Sequence, residues 1–166
     1  MDAAARLAEL LISRNLRVAV VETTAGGLLC ARLTSVSGSS QWFERGFVAY
    51  SQAAKLELLT GSDDLLAAHG NVSEAIACAL ASAVRERCGV DLCVAETGIA
   101  GPIRGRSGKP VGTCFLAVAT ASEVVCEHHV FAGDRPAIRE AIVERALAVM
   151  LKIVTATEGV PGDSTP

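Results

Sequence analysis

Two threonines and two glycines that follow an apolar run form the most chemically suggestive stretch of this sequence. Residues 18–21 are apolar and mostly β-branched, as in a buried strand, and residues 22–27 then read Glu-Thr-Thr-Ala-Gly-Gly before a helical pattern begins. Backbone N–H groups at a helix N-terminus lack intrahelical partners and lie at the positive end of the helix dipole. We therefore expect this segment, the 22–27 turn, to gather hydroxyl groups and an anion. An ordinary strand-to-helix turn is the alternative interpretation.

A second glycine-rich segment, the 97–110 loop, also follows an apolar run, at residues 92–96. Loops of such length inside compact domains are usually functional or mobile. Ligands of open α/β sheets bind beyond the carboxyl ends of the strands. We therefore expect the 22–27 turn and the 97–110 loop to meet at one crevice.

Helical and strand patterns alternate along the whole chain. Helices are predicted at 2–15, 26–33, 52–59, 74–88 and 135–154, with a short one ending near His69, and strands at 17–21, 46–50, 92–96, 111–119 and 124–131. The last two strands predict an antiparallel hairpin. This alternation predicts an α/β fold, a three-layer α/β/α domain with a mixed sheet over residues 1–154. Residues 155–166 are rich in Gly, Pro and Thr and are expected to form a disordered tail.

Composition argues against several classes of function. The 166 residues, 51% of them apolar, suffice for one domain with a buried core. The 15 basic and 18 acidic residues give a net charge of −3 without a basic run, so nucleic-acid binding has little support. The N-terminus lacks the positive charge of a signal peptide, and no apolar run approaches the roughly 18 residues of a membrane span. We expect a cytoplasmic protein with no membrane partner.

The cysteines and histidines are not spaced as metal ligands. The six cysteines lie mostly among Ala, Val and Leu and form no C-x-x-C pair, so buried free thiols are expected. His128 and His129 are neighbours in a strand pattern, and their side chains should point to opposite faces. The sequence therefore predicts no metal site.

Six segments, in order and at matching spacing, resemble one known family. They are residues 22–27 (ETTAGG), 37–40 (SGSS), 48–51 with 54–55 (VAYS, AK), 70–73 (GNVS), 97–102 (TGIAGP) and 109–113 (KPVGT). The pattern resembles the CinA C-terminal domain family over roughly residues 5 to 152. Active members of that family are nicotinamide mononucleotide deamidases. The resemblance thus implies hydrolysis of this small-molecule substrate to nicotinic acid mononucleotide and ammonia, without metal or cofactor. It also suggests a homo-oligomer, and the high apolar content agrees with that.

The resemblance further implies roles for individual residues. The family's turn reads Glu-Ser-Cys-Thr-Gly-Gly with the serine as nucleophile, so Thr23 takes the serine's place here, and Thr24 and Ala25 depart from the pattern as well. Lys55 and Tyr50 match the residues that activate the nucleophile and stabilise charge. The remaining residues expected around the substrate are Thr24, Gly26, Gly27, Ser40, Thr97, Gly98 and, as a cation for the phosphate, Arg135 or Arg139. The phosphate is expected to bind backbone N–H groups of a glycine-rich turn together with that arginine.

The chemistry of these residue types leaves three functions open. A hydroxyl becomes a useful nucleophile when a base takes its proton, and a lysine can serve if burial lowers its pKa. An amidohydrolase is therefore the leading hypothesis. A catalytically silent nucleotide-binding or regulatory module is the second, because Thr23 carries a methyl group that crowds the attacked carbonyl. A structural or partner-binding domain is the third, and the two glycine-rich segments make it less favoured.

Overall fold

A computed structural model describes residues 2–60, 63–105 and 107–156. Helices and strands alternate along them, as the sequence predicts. In chain order the elements are α1 (Ala3–Ser13), β1 (Val18–Glu22), α2 (Leu28–Thr34), β2 (Phe43–Val48), α3 (Gln52–Leu59), α4 (Asp63–His69), α5 (Glu74–Cys88), β3 (Leu92–Gly98), β4 (Thr113–Ala119), β5 (Val124–Val130) and α6 (Arg135–Ala156).

The strands form one mixed sheet in the order β2-β1-β3-β4-β5. β1 runs parallel to both β2 and β3, so the carboxyl ends of these three strands lie at the same edge. β4 is antiparallel to β3, and β4 and β5 form the predicted hairpin. The 22–27 turn and the end of β3 consequently leave the sheet side by side.

Two hydrophobic clusters, one on each face of the sheet, make the domain a three-layer α/β/α structure. Along β1, Val18 and Val20 pack with α1, α2 and α6, whereas Ala19 and Val21 pack with α3, α4 and α5. This alternation follows from the two-residue period of a strand. Every residue of β1 is buried, because helices cover both faces of the sheet. The predicted fold class is confirmed.

Several boundaries differ from the predicted ones for reasons of tertiary structure. β2 begins at Phe43 rather than at residue 46, since pairing with β1 orders polar residues that no apolar pattern marks, and it ends at Val48, before Tyr50. A short 3₁₀ helix, Ser39–Gln41, lies between α2 and β2, where the sequence predicts neither a helix nor a strand. β4 begins after Gly112, where φ is 93° and a Cβ atom would lie 1.9 Å from the carbonyl oxygen of Phe131.

The helix caps and the last helix follow the sequence closely. The side chains of Ser51 and Ser73 accept hydrogen bonds at the starts of α3 and α5, which begin at the predicted residues 52 and 74. α6 continues to Ala156, so residues 155 and 156 of the predicted tail are helical, and the rest of that tail lies outside the described residues. Within the described ranges, every helix is too short or too polar to cross a membrane.

Candidate active site

A cleft of about 450 Å³ opens beyond the carboxyl ends of β1 and β3. The 22–27 turn and the 97–110 loop meet there, as the sequence predicts. Most of the lining comes from four segments: Thr23 and Thr24; Tyr50 and Lys55; Gly70, Asn71 and Val72; and Gly98, Ile99, Ala100, Gly101, Ile103, Arg104, Gly105 and Ser107, with Arg135 completing it. The volume suits a small-molecule ligand.

Glu96, a buried residue of β3, holds the 22–27 turn from behind. Its Oε1 atom accepts hydrogen bonds from the backbone N–H groups of Thr23 at 2.7 Å, Thr24 at 2.6 Å and Ala25 at 2.8 Å. Burial raises the pKa of the Glu96 carboxyl, and the hydrogen bonds from Ala25, Thr24 and Thr23 oppose that shift. Its Oε2 atom has no hydrogen-bond partner among the described residues.

Glu22, at the end of β1, occupies the donors further along the same turn. Its Oε2 atom accepts from the N–H groups of Gly27 at 2.9 Å and Leu29 at 3.0 Å, and Oε1 accepts from that of Cys30 at 2.8 Å. A buried carboxylate must find donors inside the protein, and the start of α2 supplies them. Between them the two carboxylates bind six backbone N–H groups of residues 23–30.

The expectation that these donors are unpaired and ready for an anion is therefore wrong. Both carboxylates are visible in the sequence, Glu22 directly before the turn and Glu96 in an otherwise apolar strand. An acidic side chain in or beside an apolar strand is costly to bury unless it accepts hydrogen bonds. Glu22 and Glu96 could therefore have indicated that the N–H groups of the turn are occupied. A phosphate bound in the cleft would need hydrogen-bond donors from other segments.

The proposed nucleophile and base both line the cleft and are both buried. Thr23 is 5% exposed, and its hydroxyl oxygen lies 3.4 Å from that of Thr24. Lys55, on α3, is 6% exposed, and no described residue forms an ion pair or hydrogen bond with its ammonium group. Burial lowers the pKa of Lys55, and the Glu96 carboxylate partly opposes that shift. These are the conditions under which a lysine can act as a base.

The structure separates the two arginines expected near the phosphate. Arg135 lines the cleft, donating from Nη1 to the carbonyl oxygen of Gly101 at 2.9 Å and from Nη2 to the hydroxyl of Tyr50 at 2.6 Å. Arg139 is not part of the lining, because its Nε and Nη2 atoms donate to the carbonyl oxygen of Ala25 at 3.0 and 2.6 Å. Arg139 braces the turn from outside the cleft.

Three other predicted residues do not reach the cleft. Ser40 is exposed in the 3₁₀ helix before β2, at the amino ends of the parallel strands. A strand of five residues spans roughly 16 Å, so the sheet separates Ser40 from the cleft. Gly26 and Gly27 adopt positive φ values of 63° and 98° and shape the turn without lining the cleft.

Thr97 and Gly98, at the end of β3, shape the wall of the cleft. Thr97 is fully buried, and its hydroxyl donates to the carbonyl oxygen of Asn71 at 2.6 Å, which fixes the segment after α4. Gly98 lines the cleft at a position that has no room for a side chain. A Cβ atom there would lie 2.5 Å from the carbonyl oxygen of Thr113 and 3.2 Å from the hydroxyl oxygen of Thr24.

Sequence reasoning missed several polar side chains of the cleft, Asn71 and Arg104 among them. Asn71, whose Nδ2 donates to Oε1 of Gln52 at 3.2 Å, belongs to the 70–73 segment that was used only as a family pattern. Arg104 belongs to the 97–110 loop, where attention went to the glycines rather than to the cation between them. Both residues could have been found by asking which polar side chains accompany each glycine-rich segment.

The described residues show no grouping of three or more His, Cys, Asp or Glu side chains that could hold a metal ion. The six cysteines are free. His128 stacks on Phe115 and His129 on Phe131, with ring centroids 4.5 and 5.2 Å apart, which agrees with their predicted orientation to opposite faces.

The chain is thus an α/β/α domain whose cleft combines buried hydroxyls, a buried lysine and an arginine. The CinA C-terminal domain family matches residues 1–154, and the chain belongs to that family. A CinA-like protein of Syntrophus aciditrophicus is 46% identical over 151 residues, which are 90% of this chain and 36% of that protein. The chain thus spans about a third of the length of the curated relatives it matches.

Solved structures of the same superfamily share the fold. A competence-damaged protein (CinA) superfamily structure from Klebsiella pneumoniae has a TM-score of 0.89 at 29% identity, covering 93% of this chain and 96% of that one. The competence/damage inducible protein CihA from Agrobacterium tumefaciens has a TM-score of 0.83 at 34% identity, covering 93% and 97%. The similarity therefore extends over the elements that build the cleft.

Proposed function

We propose that this domain deamidates nicotinamide mononucleotide, with Thr23 as the nucleophile and Lys55 as the base. The observation that carries the proposal is that both side chains are buried in one cleft, where burial lowers the pKa of Lys55. The family resemblance supplies the substrate. The catalytic pair supplies the chemistry, because a neutral lysine can take the proton that a threonine hydroxyl must lose.

The reaction runs through an ester. Neutral Lys55 takes the proton of the Thr23 hydroxyl while the oxygen attacks the carboxamide carbon, and the resulting ammonium returns a proton to the departing nitrogen as ammonia leaves. Lys55 then takes a proton from a water molecule that attacks the ester. As this second intermediate collapses, the Lys55 ammonium returns its proton to the Thr23 oxygen, and nicotinic acid mononucleotide leaves and loses its carboxyl proton to solvent.

Side chains that line the cleft can stabilise the negative charge of each tetrahedral intermediate. Backbone N–H groups usually form such an oxyanion site, but here those of Thr23, Thr24 and Ala25 already donate to Glu96. The Lys55 ammonium formed in the attack and the guanidinium groups of Arg104 and Arg135 are the positive groups that line the same cleft. Tyr50, bound to Arg135, adds a hydroxyl at the rim.

Ammonia release by purified variants tests the proposal. Thr23→Ala should abolish turnover of nicotinamide mononucleotide, whereas Thr23→Ser should keep or raise it, since serine has the same hydroxyl without the crowding methyl group. Thr34→Ala is the matched control, because Thr34 is exposed at the end of α2 and its hydroxyl contacts only the helix backbone at Cys30 and Ala31. Unchanged turnover in Thr23→Ala would rule out covalent catalysis by Thr23.

A catalytically silent nucleotide-binding module is the second candidate, and the threonine at position 23 favours it. Its mark would be tight binding of the mononucleotide without ammonia release, together with a gain of turnover in Thr23→Ser. The cytoplasmic location and the homo-oligomer stay predictions, as does the absence of nucleic-acid and membrane partners.

A further inference from the structure

We propose that Arg104 is the residue that recognises the phosphate of the ligand, with Arg135 as its companion across the cleft. This inference rests on the proposed function, because it takes the ligand to be a nucleoside monophosphate. It replaces the glycine-rich turn as the phosphate site. The residues that carry it are the cations of the cleft and the donors that the structure leaves available.

The turn is a poor phosphate site, because most of its backbone donors are taken. The N–H groups of Thr23, Thr24 and Ala25 point to Glu96, and those of Gly27, Leu29 and Cys30 point to Glu22. A dianionic phosphate placed there would also stand against two buried carboxyl groups. Both the missing donors and the charge of the carboxylates disfavour it.

Only some of the cations near the cleft are free to bind an anion. Lys55 is buried and lines the same cleft as Thr23, and its proposed role as the base assigns it to the carboxamide rather than to the phosphate. Arg139 is outside the lining and bound to the turn. Arg135 lines the cleft, but its two terminal nitrogens already donate to neutral oxygens of Gly101 and Tyr50.

Arg104 differs from the others in having its whole guanidinium available. It is exposed, it lines the cleft, and no ion pair or hydrogen bond joins it to any residue in the described part of the chain. A guanidinium presents five donors in a plane that matches a phosphate in bidentate fashion. Arg104 can therefore bind a phosphate without first giving up an internal contact.

The neighbours of Arg104 fit a ligand-binding role. Gly101 and Gly105 flank the segment with φ values of 75° and 68°, a conformation that presents the residues between them at the cleft's rim. Ile103, one of those residues, is 82% exposed although it is large and apolar. Covering such a side chain with a ligand is favourable because it removes apolar surface from water. The nucleoside beside the phosphate would cover it.

The test compares two substrates in four proteins: the unmodified chain, Arg104→Gln, Arg104→Lys and the control Arg87→Gln. Arg87 is exposed near the end of α5, outside the cleft lining, and its replacement makes the same change in net charge. Losing one charge-assisted contact should raise KM for nicotinamide mononucleotide about ten- to hundredfold in Arg104→Gln, with kcat nearly unchanged. KM for nicotinamide riboside, which lacks the phosphate, should not move. Arg104→Lys should recover part of the loss, since lysine keeps the charge but not the bidentate geometry.

Equilibrium binding separates this inference from the proposed function. If the unmodified protein releases no ammonia, calorimetric titration with the mononucleotide still reports on the phosphate, and binding weakened about tenfold or more in Arg104→Gln but not in Arg87→Gln supports the role of Arg104. The proposed function would then fail alone. Unchanged binding and KM in Arg104→Gln would overturn the inference even if deamidation were found. Failure of the unmodified protein to bind the mononucleotide more tightly than the riboside would overturn it as well.

Discussion

Replacing Glu96 tests how the 22–27 turn is held. Glu96→Ala leaves three backbone N–H groups, those of Thr23, Thr24 and Ala25, without an acceptor in a buried place. A buried unsatisfied donor costs about 1–3 kcal/mol, so the three together cost about 3–9 kcal/mol. Small domains have a free energy of unfolding of only about 5–15 kcal/mol. We expect Glu96→Ala to be barely folded or unfolded at pH 7.

Glu96→Gln should behave very differently. The amide keeps a carbonyl oxygen for the three N–H groups, and the loss of charge costs little because burial already raises the pKa of this carboxyl despite those hydrogen bonds. A destabilisation below about 1.5 kcal/mol is expected, against several for alanine. Glu86→Gln, an exposed change on α5, serves as the control.

The sign of the pH dependence follows from the raised pKa. A carboxyl whose pKa is higher in the folded than in the unfolded state adds stability below its unfolded pKa of about 4.3 and loses it as the pH rises through the folded value. The unmodified protein should therefore gain stability relative to Glu96→Gln as the pH falls through this window. Urea unfolding of both proteins at several pH values measures the difference. Equal losses in Gln and Ala, or a difference that moves the other way, would refute the reasoning about desolvation.

Two further predictions concern the cleft. Gly98→Ala should lower both the urea midpoint and the rate of ammonia release, because its methyl group would lie 2.5 Å from the carbonyl oxygen of Thr113 and press on the hydroxyl of Thr24. The overpacking should cost about 1–3 kcal/mol of stability. Unchanged values would show that the end of β3 can shift to accommodate the methyl group. If neutral Lys55 is the base, kcat/KM should rise with pH and level off above a pKa that lies below the ordinary 10.4 or so for lysine. Lys55→Arg should be inactive at every pH, and a rate that falls from pH 6 to 9 would contradict the assignment of Lys55 as the base.

The local elements could be predicted because their signals are local. Ser51 and Ser73 mark helix starts by their own hydroxyls, and the β4–β5 hairpin follows from two apolar runs with a short turn between them. The start of β2 could not be found in this way, since Arg45 is ordered by pairing with Ala19 of β1 and Glu44 lies at the register shift before it. Pairing between distant segments leaves little trace in the composition of either one.

The candidate site could likewise be predicted only where its signals are local or follow from a general property of the fold. The meeting of the two glycine-rich segments follows from a general property of α/β sheets, so the cleft could be placed from the sequence. The particular donors that Glu96 binds could not be predicted, because they lie 71 to 73 residues before it in the chain. Ser40 matches a family pattern, yet the sheet stands between it and the cleft, and only the course of β2 shows this.

The two buried carboxyl groups determine how the cleft has to be built. By binding the backbone of the turn, Glu22 and Glu96 present Thr23 on a rigid support, but they also remove the donors that similar turns offer to anions. The positive groups that line the cleft come from elsewhere along the chain. Lys55 comes from α3, Arg104 from the 97–110 loop and Arg135 from the start of α6. The turn therefore supplies the hydroxyl, and three separate segments supply the positive charge.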